Sequence, residues 1–305
     1  MSQGLTNSEF RAGGTDLSER RRSGVSRGAL ADLKPSPAMQ SMSWDAAGAA
    51  SIGASTSIAA IARDATIADA YPGLAAAAGG LATPQVRHAA TIGGNLAQRS
   101  RCWYYRSPHW SCLKKGGSDC PARAGNHLYH VAFDLGPCIA PHPSTLAAAL
   151  LAYDATVTTN QRQALSIPEL LGDGSSGRAD HLLRPDEVIE AIKLPSPLAD
   201  ERAIYKRAIS RSYAEWPLVE IVARAVIAGG AFKFARVAIG GIAPVPLRLA
   251  NVETALEGKP ANTGTIEAAA KQSVQGAKPL PMTGYKLDLL QGLTHDVLEQ
   301  LASSA

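Results

Sequence analysis

Four cysteines, Cys102, Cys112, Cys120 and Cys138, fall between positions 102 and 138 of a 305-residue chain that has no other cysteine. Thiolates are soft ligands, and four of them can close the coordination of a 4Fe–4S cube or of a tetrahedral zinc ion. Two disulfides are the third possibility, and those need an oxidising compartment. The Cys-x9-Cys-x7-Cys-x17-Cys run lacks the closely spaced pairs usual in structural zinc sites. On the residues alone all three chemistries stay open, with the cluster in front.

Two double-glycine segments suggest a second chemistry. The first is Phe10-Arg11-Ala12-Gly13-Gly14-Thr15-Asp16-Leu17 and the second is Thr91-Ile92-Gly93-Gly94-Asn95-Leu96. Glycine permits positive φ and lets a ligand come close to the backbone, and successive free amides in a turn form an anion nest. One such turn is weak evidence. Two, each beside hydroxyl or amide side chains, are suited to holding the phosphates of a dinucleotide from both sides.

The elements that must position these residues read as follows. Phe10 leads as a strand into the first turn, and Ser51-Ile52-Gly53-Ala54 is a short strand entering another. Ser57 is placed to cap a helix running to about Arg63, and an alanine-rich helix is expected over Leu74 to Leu81. Ser144 to Leu151 reads as helix, Ala155 to Thr159 as strand, and Asp186 to Leu194 as a strand stopped by Pro195. Pro195, Pro197 and Asp200-Glu201-Arg202 mark a boundary. Beyond it, strands are expected at Ala203 to Ile209, Val219 to Ile227 and Phe232 to Ile239, the last two joined at Gly229-Gly230. Helices are expected at Ala250 to Leu256, Ile266 to Val274 and Val297 to Ala302. That order is an antiparallel sheet backed by helices, an α+β arrangement.

Composition excludes several classes. Hydrophobic residues make up 46% and charged residues 18%, with a net charge of +4, which suits a folded globular chain and not a disordered one. Arg20-Arg21-Arg22 and the looser set Arg99, Arg101 and Arg106 make no basic stripe, so nucleic acid is not an expected partner. No apolar run reaches the roughly 20 residues of a membrane span. Met1 to Phe10 has no apolar core of a secretory signal. The cytoplasm is the expected compartment, with export on a partner's signal as the alternative.

In their order, Ala12 to Leu17, Ile52-Gly53-Ala54, Arg87 to Ala97, Pro143-Ser144-Thr145-Leu146-Ala147, Lys206 to Val222 and Gly240-Gly241-Ile242-Ala243-Pro244 resemble the FAD-binding subunits of the xanthine dehydrogenase family of molybdenum hydroxylases. The four cysteines resemble those of the family's aldehyde oxidoreductase branch, whose flavin subunit adds a 4Fe–4S cluster. A 4-hydroxybenzoyl-CoA reductase branch carries one too, and the flavin subunit of such a reductase is the alternative within the family.

The resemblance implies an α+β fold: an FAD-binding fold of the vanillyl-alcohol oxidase-like (PCMH) type, then an α+β domain of the carbon monoxide dehydrogenase flavoprotein type. Its implied boundaries are an abbreviated lobe at 1–38, a second lobe at 39–198 with the cluster loop at 98–143, and a terminal domain at 199–305. Implied FAD contacts are Ala12, Gly13, Gly14, Thr15, Asp16, Leu17, Gly53, Ala54, Ser55, Thr91, Gly93, Gly94, Asn95, Thr145 and Lys193, with Cys102, Cys112, Cys120 and Cys138 on the cluster. Implied partners are a large molybdopterin-binding subunit, a small subunit with 2Fe–2S clusters and an external electron acceptor, in a heterotrimer. The flavin carries the redox chemistry, and no general base or nucleophile is expected here. Two departures stand out: Thr145 replaces the family's aspartate, and the segment before the first glycine turn is short. A zinc-stabilised assembly subunit with a degraded flavin site is the alternative these departures favour.

Overall fold

The computed structural model describes residues 8–303; residues 1–7, part of the segment read above as lacking a leader, lie outside them. The chain opens with the strand Ser8–Arg11, the helix Leu17–Arg22 and the strand Ala29–Asp32. The two strands pair in parallel, Phe10 opposite Ala31, so the helix serves as the crossover that a parallel pair requires. Gly14, at φ +72°, turns the chain between strand and helix. The N-terminal lobe thus has a strand, a helix and a returning strand.

A five-stranded antiparallel sheet follows, in spatial order Met42–Trp44, Ala50–Gly53, Ile189–Leu194, Thr156–Thr159 and Leu165–Ser166. Around it lie short helices whose starts are written in the sequence. Ser57 accepts from the Ala60 amide to begin Ile58–Arg63, and Asp64 does the same for Ala65–Ala70 through Ile67. Pro72 opens Pro72–Gly80, a position where its missing N–H costs nothing. The helix Thr145–Ala152, capped by Ser144, is buried at every position, as its uniformly apolar sequence requires.

The terminal domain is a four-stranded antiparallel sheet: Glu201–Ala208, Val219–Ala228, Ala231–Gly240 and Leu247–Arg248. Gly229 and Gly230, both at positive φ, form the tight turn that two-residue hairpins favour. Helices Ala250–Leu256, Thr263–Gln272 and Tyr285–Ser303 back this sheet, sharing a core with Val219, Ile221, Phe232 and Val237. The last helix starts at Tyr285, well before the expected Val297. Its first turns bury Lys286 and Thr294, polar residues that disguise an interior face. The second double-glycine segment is also not a loop turn. It is a short helix, Ile92–Leu96, with Thr91 as its cap.

The two halves meet at Arg224. Its guanidinium binds both Glu201 oxygens at 2.6 and 2.8 Å, donates to the Ala152 carbonyl at 2.7 Å and lies over the Tyr153 ring. Both side chains of the ion pair are buried. Removing one partner of such a pair strands the other charge, at a cost of about 3–5 kcal/mol. Arg224→Met is therefore expected to lower the unfolding free energy by about 3–5 kcal/mol, seen as a lower urea midpoint, and an unchanged midpoint would contradict this role.

Candidate functional site

The two double-glycine segments face each other across one cleft of about 410 Å³. Ala12, Gly13, Gly14, Thr15, Asp16 and Leu17 line one wall, and Ala54, Ser55, Thr91, Gly93 and Gly94 line the other. Neighbouring chain at Gly13 and Gly93 leaves no room for side chains. A Cβ on Gly13 would sit 1.8 Å from the Ala89 carbonyl oxygen, and one on Gly93 would press on Ala54 at 2.9 Å.

The walls differ in what they offer. Among the described residues, no acceptor bonds the amides of Gly13, Gly14 and Thr15, so this turn has the free N–H groups of an anion nest. The opposite amides are already engaged: Gly93 N donates to Ala54 O, Gly94 N to Thr91 Oγ1 and Asn95 N to Thr91 O. That wall offers close approach and not donors. The cleft also holds Arg184, which pairs with no carboxylate among the described residues and donates to Gln161.

Four residues expected in the site lie outside the cleft lining. Gly53 is a glycine because the backbone at Ala38 and Met39 crosses it, with carbonyl oxygens 2.3 and 2.5 Å from where a Cβ would be. Asn95 turns inward and accepts from Ser144 Oγ at 2.6 Å. Thr145 is buried beside Glu220, whose carboxylate accepts from Tyr205 Oη at 3.0 Å. Burial pushes that Glu220 carboxyl up to about 7. Lys193 points to solvent from its strand, between Ser51 and Thr156 in register. Asp16 reaches the cleft, yet its carboxylate is taken by Arg20, Arg101 and Arg106. Sequence reasoning missed Arg99, His181 and Arg184 on the lining. No local pattern marks them.

All four cysteines are free thiols, and they line a single small space beside the cleft, closed by Tyr104, Tyr105 and Lys114. Cys120 is pulled down to about 6 because Cys138 hydrogen-bonds to it, and backbone groups at Ile139, Ala122 and Arg123 add to this. Cys138 is raised in turn. Burial lifts Cys102 to about 11, against hydrogen bonds from the Tyr105 and Tyr104 backbone. His130 Nε2 lies 3.2 Å from Cys102 Sγ, and Trp103 and Trp110 stand exposed above. Among the described residues, no three His, Cys, Asp or Glu side chains converge closely enough to hold a single metal ion.

Residues 4–197 match the family model described as the FAD binding domain in molybdopterin dehydrogenase, and residues 203–301 match the carbon monoxide dehydrogenase flavoprotein C-terminal domain. The FAD-binding subunit of an Escherichia coli aldehyde oxidoreductase is 31% identical over 232 residues, 73% of this chain and 69% of that one. A xanthine dehydrogenase FAD-binding subunit from Escherichia coli O157:H7 is 22% identical over 85% of this chain and 76% of its own length. Among solved structures, quinoline 2-oxidoreductase from Pseudomonas putida superposes with a TM-score of 0.75 at 20% identity, covering 98% of this chain and 90% of that one. Carbon monoxide dehydrogenase from Hydrogenophaga pseudoflava gives 0.72 at 19%, covering 97% and 88%. The structural likenesses establish the fold.

Two predictions follow from this geometry. Gly13→Ala displaces the first turn, and an overpacking cost of about 1–3 kcal/mol weakens flavin binding about tenfold or more. Gly292→Ala, where a Cβ meets nothing within 4 Å, is the control that retains flavin. Equal flavin content in both would refute the cradle. The second concerns His142, whose Nε2 has no partner and whose pKa burial lowers from 6.5 to about 4. As pH falls, the unfolded chain takes up this proton first. The stability is therefore full above about 6.5 and is lost toward about 4, at up to about 1.4 kcal/mol per pH unit. The melting temperature should fall between pH 7 and 5, and His142→Leu should flatten that slope.

Proposed function

This chain belongs to the FAD-binding subunits of the molybdopterin dehydrogenases, and on that premise we propose that it is the flavin and 4Fe–4S subunit of a molybdenum-dependent aldehyde oxidoreductase. FAD binding within an oxidoreductase complex is the family's shared character. The aldehyde substrate rests on the likeness to the Escherichia coli subunit. The cluster rests on four free thiols around one space.

That last observation carries the reading. Four thiols lining one small space suit a single centre with four soft ligands. The Cys-x9-Cys-x7-Cys-x17-Cys run lacks the close pairs usual in structural zinc sites, which favours the cube. The free amides of Gly13, Gly14 and Thr15 suit pyrophosphate oxygens, Ala54, Ser55, Thr91, Gly93 and Gly94 close the opposite wall, and Arg184 adds a cation. Asn95, Thr145 and Gly53 act behind that wall as scaffold. Lys193 has no assigned part.

FAD held by the amides of Gly13, Gly14 and Thr15 would supply two-electron redox chemistry between partner subunits carrying molybdopterin and 2Fe–2S clusters and an external acceptor. This chain's own residues bind, orient and tune. None is assigned as acid, base or nucleophile. Among the described residues, no helix is long and apolar enough to cross a membrane.

The test is the visible spectrum and metal content of the purified full chain. Structured flavin bands in the blue over a broad iron–sulfur shoulder are expected, with iron and no zinc. Cys120→Ser should lose the shoulder and the iron while the flavin bands remain. A colourless, zinc-containing protein would overturn the proposal.

A further inference from the structure

The cleft and the cysteine space are joined by one buried carboxylate. Asp180 accepts from Arg99 Nε at 2.5 Å and from Lys114 Nζ at 2.7 Å, and its side chain is 5% exposed. Arg99 lines the cleft, and Lys114 lines the space around the thiols. The remaining bonds of both cations go to backbone carbonyls of the same loop, Lys114 to Ala179 at 3.0 Å and Arg99 to Arg178 at 3.4 Å. The nearest other acid is Asp16, whose oxygen meets the Arg99 backbone amide but which is already shared among three guanidinium groups. His142 and His181 lie beside the group and are held neutral by burial. The triad therefore carries two cations and one anion, each cation at a different site.

Resting on the cofactor assignment above, we propose that Asp180 is a positioning residue that couples the two centres electrostatically, fixing one cation at each and setting both reduction potentials. A cation near a redox centre favours its reduced, more negative state, and does so strongly where water is excluded. Asp180 limits that effect at both sites at once. Its carboxyl stays ionised: burial opposes this, but Lys114 and Arg99 hold it at about 2.

The experiment is a redox titration of the full chain carrying both cofactors, with flavin followed by absorbance and the cluster by electron paramagnetic resonance. Asp180→Asn keeps the shape but leaves two cations offset by nothing, so both midpoints should shift upward. Lys114→Gln should lower the cluster midpoint more than the flavin's, and Arg99→Gln the reverse. If Asp180→Asn fails to fold, the crossed pattern of the other two variants decides. Unmoved midpoints in Asp180→Asn, or equal shifts at both centres in Lys114→Gln and Arg99→Gln, overturn the coupling with the cofactor assignment intact. A wild-type chain without iron overturns the cluster assignment itself, and the coupling with it.

Discussion

The carboxylate of Asp16 gathers three guanidinium groups, Arg20 at 3.1 Å, Arg101 at 3.1 Å and Arg106 at 2.6 Å, and also accepts from the Arg99 amide at 3.2 Å. A glycine turn has almost no side chain of its own with which to hold position, so something else must. Burial resists ionising Asp16, but Arg101, Arg106 and Arg20 outweigh it and keep the carboxyl below its ordinary range. Glu19 takes a second contact from Arg101 and Arg106. Isolated surface ion pairs contribute little. A partly buried network with several shared partners is different, and this one fixes the wall of the cleft that carries the free amides of Gly13, Gly14 and Thr15.

Arg101 and Arg106 flank Cys102, so the same contacts that hold the first glycine turn also hold the start of the cysteine segment. Arg101 further lies over Trp216, 4.6 Å from the ring centroid, which draws in the terminal domain. From the other side, Lys286 donates to the carbonyls of Tyr129 and Gly241, and Tyr285 Oη donates to Leu128 O. Burial alone lowers Lys286 to about 7, a cost accepted where a lysine fastens two backbone segments. The cysteine segment thus braces all three parts of the chain. A metal centre there would stabilise the fold as well as carry charge, since ligand binding by the native state adds to its stability.

Local signals were legible in the sequence and distant ones were not. Ser57 caps the helix expected of it, the helix expected from Ser144 forms over Thr145–Ala152, and the paired glycines at 229 and 230 make the expected hairpin. The family resemblance placed both glycine segments on one cleft. Asn95 and Thr145 sit inside matched motifs, yet they face Ser144 and Glu220. A motif records identity and order, not which way a side chain turns. Asp180 meets Arg99 and Lys114 across long stretches of chain, and no spacing rule reaches that far. The helix from Tyr285 was concealed for a related reason: Lys286 is buried on carbonyls that only the folded chain brings together.

The proposed flavin and iron–sulfur cube would occupy separately built sites on one chain, and anomalous diffraction at the iron absorption edge, on crystals of the natively purified protein, distinguishes them. A strong iron peak is expected in the space bounded by Cys102, Cys112, Cys120 and Cys138, with FAD density in the cleft against Gly13 and Gly14. A peak only at the zinc edge, or thiols joined as disulfides with no metal between them, would contradict it.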